Sequence, residues 1–183
     1  FLTQLTKNNM LYFCDNQDLK STPEGLNKKF EVNLFGRKSI KKRSHEIKIK
    51  KIKVFNNIFS YLSEIKKASK IEESKFLIIS ISPYTFLISL FIKIMGRKPI
   101  VYLRSDGFLE YKIRYGILGY YTYFFMFYII KKYLKILSCS KNFTHVKSKK
   151  ILHPSELTAN WFKKKVDKKN FKTDFLYVGR FKK

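Results

Sequence analysis

The 183-residue chain carries 39 Lys and Arg against 13 Asp and Glu, a net charge of +26, and it is 45 % hydrophobic and 17 % aromatic. So much apolar sequence excludes an intrinsically disordered chain and predicts a buried core. The charge has two explanations: a phosphate-rich partner, either nucleic acid or an anionic membrane, or an AT-rich coding sequence, which enriches a protein in Lys, Ile, Asn, Phe and Tyr. The two cysteines, Cys14 and Cys139, lie far apart, which indicates a reducing compartment and no disulfide framework.

The first part of the chain predicts two short strands and a basic loop. We expect the end of a helix over 1–9, a strand over 10–14, a polar loop over 15–25 and a strand over 30–35 that stops at Gly36. Nine of the seventeen residues in 37–53 are Lys or Arg. On a loop these cations face solvent, and they form either a plain solvated surface or a contact with anionic lipid or an acidic acceptor.

From residue 54 onward, apolar runs of helix length and strand length alternate. We predict helices over 54–70, 84–95, 113–133 and 140–146, strands over 76–81, 100–103, 136–138, 150–153 and 175–178, and a turn over 105–107. Strands that lack polar alternation are covered on both faces. Alternating strands and helices therefore predict an α/β fold, a Rossmann-like parallel sheet with helices on both faces.

Two uncharged apolar stretches approach the length that crosses a bilayer, 76–92 and 115–130. The first contains Ser80, Ser82 and Pro83, so it divides into a strand, a turn and a helix. The second is rich in tyrosine and is followed by lysines, which favours a buried helix or a helix in the headgroup plane over a span.

Ligands of open parallel α/β sheets bind beyond the carboxyl ends of the strands. This rule selects Ser82 and Tyr84 after the 76–81 strand, Arg104, Ser105, Asp106 and Gly107 after the 100–103 strand, Glu156 after the 150–153 strand, and Gly179 and Arg180 after the 175–178 strand.

The segment from Arg104 to Gly107 offers a cation, a hydroxyl and a carboxylate on one turn. Such a group can orient sugar hydroxyls or accept a proton. The structural alternative is that Asp106 caps the next turn and Arg104 pairs with Glu110. Gly179 and Arg180 suggest a phosphate site, because a guanidinium binds two phosphate oxygens at once.

Other kinds of site find no support in the sequence. The three histidines lack metal-ligand spacing with one another and with Cys139, and glycine-rich nucleotide-binding motifs are absent from the sequence. Cys139 follows a strand without an evident base, which favours packing over a nucleophilic role.

Three segments resemble the glycosyltransferases of family 4, which have the GT-B architecture. They are KPIVYLRSDGFLEY at 98–111, LKILSCSKNF at 134–143, and ILHPSELTANWF at 151–162 followed by FLYVGRFKK at 175–183. Their order and spacing are similar to the family over roughly 76–183. The resemblance implies an acceptor-binding domain over 1–154, an interdomain linker over 155–172, and the start of a donor-binding domain over 173–183.

The resemblance also implies a function. Family members transfer a sugar from a nucleotide sugar, with retention of configuration and without a metal or other cofactor. The implied acceptor is a saccharide or a lipid-linked saccharide of cell-surface polysaccharide synthesis. The resemblance assigns the donor side to Glu156, Gly179 and Arg180, and the acceptor side to Ser82, Tyr84, Arg104, Ser105 and Gly107. Asp106 is the candidate catalytic residue, although it stands where many members have histidine.

The expected location is the cytoplasm, with peripheral attachment to the inner membrane. We expect the chain to be the front part of a larger protein, without its first strand and most of the donor domain, and to be inactive in sugar transfer on its own. The alternatives are a membrane protein, a non-catalytic α/β binding module, and a nucleic-acid-binding protein. The last would need exposed aromatic residues between its cations, whereas the aromatic residues cluster in apolar runs.

Overall fold

The computed structural model describes residues 4–8, 11–14, 17–40 and 43–140. The described residues form a mixed α/β fold of eight strands and four helices. Several predictions fall outside them: the linker over 155–172, the strands over 150–153 and 175–178, and the helix over 140–146 beyond its first residue. Glu156, Gly179 and Arg180 also lie outside the described residues.

The amino-terminal sheet is mixed. Its strands are β1 (Gln4–Asn8), β2 (Leu11–Cys14), β3 (Asn33–Lys38), β4 (His45–Glu46) and β5 (Lys51–Phe55), and helix α1 (Gln17–Leu26) joins β2 to β3. The spatial order is β4-β2-β1-β3-β5. Strands β1, β3 and β5 are parallel, while β2 runs antiparallel to both of its neighbours. The prediction of one all-parallel sheet is therefore wrong in this half of the fold.

Four sequence-based predictions for this half are corrected. Residues 4–8 form a strand and not a helix end, because they pair with β2 as a hairpin. Most of the segment predicted as a loop over 15–25 is helix α1, and its side chains Leu19 and Pro23 are buried and hold it in place. Strand β3 continues past Gly36, which pairs with Val54 of β5. The basic stretch is not one loop, since it contains the end of β3, the whole of β4 and the start of β5.

The second sheet has three parallel strands, β6 (Leu77–Ile79), β7 (Ile100–Leu103) and β8 (Lys135–Ser138), in the order β6-β7-β8. Helix α3 (Pro83–Ile94) connects β6 to β7, and helix α4 (Gly107–Tyr133) connects β7 to β8. These are two successive strand-helix-strand units. The strand predicted over 100–103 and the helix predicted over 84–95 are confirmed, and the predicted 113–133 helix starts two turns earlier.

Local sequence explains where these helices begin and end. Helix α2 (Ile58–Ser69) starts after Asn57, whose side chain accepts a hydrogen bond from the Ser60 N–H at 2.8 Å. Residues 54 and 55, predicted as its start, belong to β5 instead. Helix α3 has Pro83 in its first turn and is followed by Gly96 at φ +78°. Helix α4 kinks at Gly116, which has φ +65°.

Two apolar cores lie on opposite faces of the strands. One contains Ile78 and Val101 together with buried side chains of α2, α3 and α4. The other contains Ile79 and Tyr102 together with Leu19 of α1. Neighbouring residues of β6 and β7 thus point to different cores, which is why these strands are apolar without alternation. Among the described residues, no helix is long and apolar enough to cross a membrane.

Candidate functional site

The carboxyl ends of the three parallel strands meet at one edge of their sheet. Leu103 of β7 pairs with Ser138 of β8, and Ile79 of β6 pairs with Tyr102. The residues that follow are linked across this edge: the Ser80 N–H donates to Tyr102 O at 2.8 Å, and the Cys139 N–H donates to Leu103 O at 3.1 Å. We call the residues directly after β6, β7 and β8 the carboxyl edge.

At this edge the chain turns sharply from β6 into α3. Ser80 has φ +62°, a left-handed conformation that costs a non-glycine residue about 1–2 kcal/mol. Two residues later Ser82 begins a capping box with Thr85, in which Ser82 N donates to Thr85 Oγ1 at 2.6 Å and Thr85 N donates to Ser82 Oγ at 3.2 Å. The Ser82 hydroxyl therefore has a structural role at the start of α3, and its assignment to the acceptor site remains a prediction.

Tyr84 is the most distinctive side chain of the edge. Its ring makes an edge-on contact with Tyr61 at 5.9 Å, and the Arg37 guanidinium lies 5.7 Å from the ring centroid. Its hydroxyl oxygen is buried and has no hydrogen-bond partner among the described residues. Burial raises the pKa of Tyr84, and the positive charge of Arg37 partly offsets this. A buried hydroxyl without a partner costs free energy unless a ligand supplies one.

Arg37 is a site residue that the sequence did not single out. It lies near the end of β3, in the other sheet, and was one of nine cations in a basic stretch. Its contact with Tyr84 places the carboxyl end of β3 beside the turn between β6 and α3. A guanidinium beside a tyrosine hydroxyl suits a hydroxyl-rich or anionic ligand.

Asp106 caps helix α4. Its Oδ1 accepts hydrogen bonds from the N–H groups of Phe108 at 3.0 Å and Leu109 at 3.3 Å. The structural alternative for this residue is therefore confirmed. One carboxylate oxygen is engaged in the cap, and the suggested catalytic role of Asp106 remains a prediction.

The neighbours of Asp106 also have structural contacts. Gly107 is buried, and the ring of Tyr123 covers it. The Cys139 thiol donates to Arg104 O at 2.9 Å, which fits the packing role expected of that cysteine. Arg104 and Ser105 are half-buried at the edge. Burial, with a smaller contribution from the Asp106 charge, raises the pKa of Tyr123 well above its usual range.

An open depression of about 530 Å³ lies around β5, one of the two edge strands of the five-stranded sheet. Lys38, Lys53 and Glu64 contribute its charged groups, and Phe55 and Ile52 are among its apolar lining residues. Glu64 is already paired, because its carboxylate forms salt bridges with Lys53 Nζ at 2.5 Å and Lys67 Nζ at 2.8 Å. These cations lower the pKa of Glu64.

The structure places Ser82, Arg104, Ser105 and Asp106 in the turns that follow β6 and β7, and Tyr84 and Gly107 in the first turns of α3 and α4. It adds Arg37 and the left-handed turn at Ser80. Within the described part of the chain, no three His, Cys, Asp or Glu side chains form a group that could hold a metal ion. Comparisons of the chain with models of known protein families, with curated proteins and with solved structures found no match.

Proposed function

We propose that this chain is the acceptor-binding part of a GT-B glycosyltransferase. The enzyme transfers a sugar from a nucleotide sugar to a saccharide or a lipid-linked saccharide of the cell surface. The two sheets together make a Rossmann-like layer, and the acceptor lies at its carboxyl edge. The sequence resemblance adds three further parts to the proposal: retention of configuration, no metal requirement and a cytoplasmic location.

The observation that carries the proposal is the Tyr84 hydroxyl. It is buried without a hydrogen-bond partner in the described structure, and it lies at the edge where ligands of parallel sheets bind. A sugar hydroxyl can both donate to it and accept from it. The Arg37 guanidinium beside the ring adds donors for a second oxygen of the acceptor.

Asp106 acts in this proposal mainly as a positioning residue. Its Oδ1 fixes the start of α4, and its other carboxylate oxygen remains to orient an acceptor hydroxyl. Donor contacts belong to Glu156, Gly179 and Arg180, outside the described residues.

Tyr84→Phe tests the proposal. The full chain is screened for binding to soluble oligosaccharides and to detergent-solubilised lipid-linked saccharides. Sugar transfer is assayed separately, on protein from the complete reading frame and with a panel of nucleotide sugars. We expect Tyr84→Phe to weaken acceptor binding by about tenfold, the loss of one hydrogen bond of about 1.4 kcal/mol. The variant should fold at least as stably as the parent, because it removes a polar atom that has no hydrogen-bond partner among the described residues.

Tyr115→Phe is the matched control, since it removes an exposed hydroxyl from a ring on α4. The acceptor-site assignment fails if both variants bind saccharide as the parent does. The glycosyltransferase proposal fails if protein from the complete reading frame neither binds any saccharide of the panel nor transfers sugar from any nucleotide sugar.

A further inference from the structure

The part of α4 that follows its kink is apolar on two opposite faces. Successive residues of an α-helix turn by about 100°, so residues three and four apart share a face. One face packs into the core through Gly119, Tyr123, Met126, Phe127 and Ile130. The opposite face carries Ile117, Leu118, Tyr121, Phe124, Phe125 and Tyr128, which are between 47 % and 75 % exposed. We call these six side chains the outer face.

The outer face is a continuous apolar surface, whereas the exposed apolar residues of an ordinary protein surface are scattered singly. A helix that is apolar all round is normally covered on all sides, either by protein or by lipid. The outer face is instead continuous along three turns, and Phe125 extends it toward α3 through a ring contact with Phe86 at 6.3 Å. An apolar patch of this kind marks an interaction surface.

Cations stand at both ends of this face. Lys112 and Arg114 precede it, and Lys131 and Lys132 follow it, all of them exposed. Lys131 Nζ lies 5.9 Å from the Phe127 ring centroid, and Lys132 Nζ lies 5.4 Å from that of Tyr133. No acidic residue occurs in the sequence between Glu110 and Glu156. The partner of the outer face must therefore offer an apolar surface with negative charge around it.

We propose that the outer face docks on the surface of an anionic lipid bilayer. The Phe, Ile and Leu side chains enter the boundary between headgroups and acyl chains, and the Tyr rings lie at headgroup level, where such amphipathic rings are enriched. The lysines and arginine at the two ends contact lipid phosphates. In this arrangement the helix axis lies along the membrane surface, with the core face of α4 turned toward the protein.

Two other partners fit these observations less well. Two copies of the outer face, packed parallel or antiparallel, would bring the cations of one copy beside those of the other, and each chain carries a net charge of +26. A nucleic acid would need cations along the face to meet its phosphates, whereas the six side chains of the outer face are uncharged.

Vesicle co-sedimentation of the full chain tests the proposal. The vesicles contain either phosphatidylcholine alone or equal parts of phosphatidylcholine and phosphatidylglycerol. We expect binding to the anionic vesicles that falls as NaCl is raised. Phe124→Ser combined with Tyr128→Ser should lower the partition coefficient at least about tenfold. Each Ser substitution at Lys131 and Lys132 should lower it about fivefold.

Phe59→Ser is the matched control. Phe59 is 81 % exposed on α2, away from the outer face, so its loss should leave binding unchanged. Equal binding to neutral and anionic vesicles, or undiminished binding by the Phe124 and Tyr128 variant, would overturn the proposal. So would a dimer, seen by light scattering, that this variant converts to monomer, because a second copy would then cover the face.

Discussion

The ring of Tyr123 lies directly over Gly107, at the start of the helix to which both residues belong. A Cβ atom built on Gly107 would lie 2.1 Å from Tyr123 Cζ and 2.3 Å from its hydroxyl oxygen. Only glycine allows this approach. The kink at Gly116 separates the two residues along the helix and lets its later part, with Tyr123, pack near its start.

Gly107→Ala should destabilise the fold by about 2 kcal/mol or more, because the ring of Tyr123 has to move out of a packed core. Urea unfolding measures the change. Gly25→Ala is the control: it adds the same methyl group within α1, where nothing lies within 4 Å of the new Cβ, so we expect no loss of stability. Equal effects of the two substitutions would show that the Tyr123 contact does not matter.

A second prediction concerns the contribution of the Asp106 helix cap to stability. Asp106→Ala should cost about 1 kcal/mol, because the Phe108 and Leu109 N–H groups lose their acceptor, whereas Asp106→Asn retains an acceptor oxygen and should cost much less. Thermal unfolding of the two variants measures this difference. If Asp106→Asn destabilises the fold as much as Asp106→Ala, the cap is not what Asp106 contributes.

The second half of the fold was predictable because its signals are local. The run at 100–103 is apolar and follows a proline, and in the structure it is a buried strand. Pro83 and Gly96, which are typical of helix starts and ends, lie at the two ends of α3. Strand β1 was missed because its identity depends on pairing with β2 and β3 rather than on its own composition. Helix α1 was missed because Pro23 and Gly25 are typical of loops, and burial of Pro23 outweighs that preference.

The candidate site also has parts that local sequence predicts and parts that depend on contacts between distant segments. The sequence predicted that Tyr84 and Asp106 come after strands, and in the structure they come after β6 and β7. It did not predict that Arg37 would lie over Tyr84, because the two residues come from different sheets and no local pattern joins them. The resemblance assigned Gly107 to the acceptor side, and no sequence pattern indicated that the Tyr123 ring would cover this residue.

Arg97 provides a third prediction, about the end of α2. Its guanidinium donates four hydrogen bonds to backbone carbonyls, two to Ser69 O at 2.9 and 2.6 Å, one to Ile71 O at 2.8 Å and one to Glu72 O at 2.7 Å. Ser69 is the last residue of α2, and Ile71 and Glu72 lie just beyond it, where the helix itself supplies no donors.

Arg97→Ala should therefore cost about 2–3 kcal/mol in unfolding free energy, since it removes four charge-assisted hydrogen bonds, two of them to the partly buried Ser69 carbonyl. Arg97→Lys should recover only a minor part, because one ammonium group cannot reach three carbonyls as the planar fork does. The exposed neighbour Lys98, changed to Ala, should alter stability by no more than about 0.5 kcal/mol. Full recovery with Lys would show that charge alone, and not the fork, holds the segment.

The buried tyrosines predict a loss of stability at alkaline pH. Burial raises the pKa of Tyr61 well above its usual value, with a smaller contribution from Tyr84, and Tyr123 is raised in the same direction. In the unfolded chain both hydroxyls ionise near pH 10. The folded state then holds protons that the unfolded state has lost. The stabilisation is therefore complete below about pH 10 and declines as the pH rises above it.

Urea unfolding between about pH 9 and 11 measures this decline, which can reach about 1.4 kcal/mol per pH unit for each tyrosine that stays protonated only when folded. Tyr61→Phe should make the decline shallower, because one such group is removed, while Tyr121→Phe changes an exposed ring and should leave the slope as it is. A slope that Tyr61→Phe does not change would mean that this hydroxyl ionises without unfolding. The folded parent would then show more tyrosinate absorbance than folded Tyr61→Phe near pH 10, by the amount of one tyrosine.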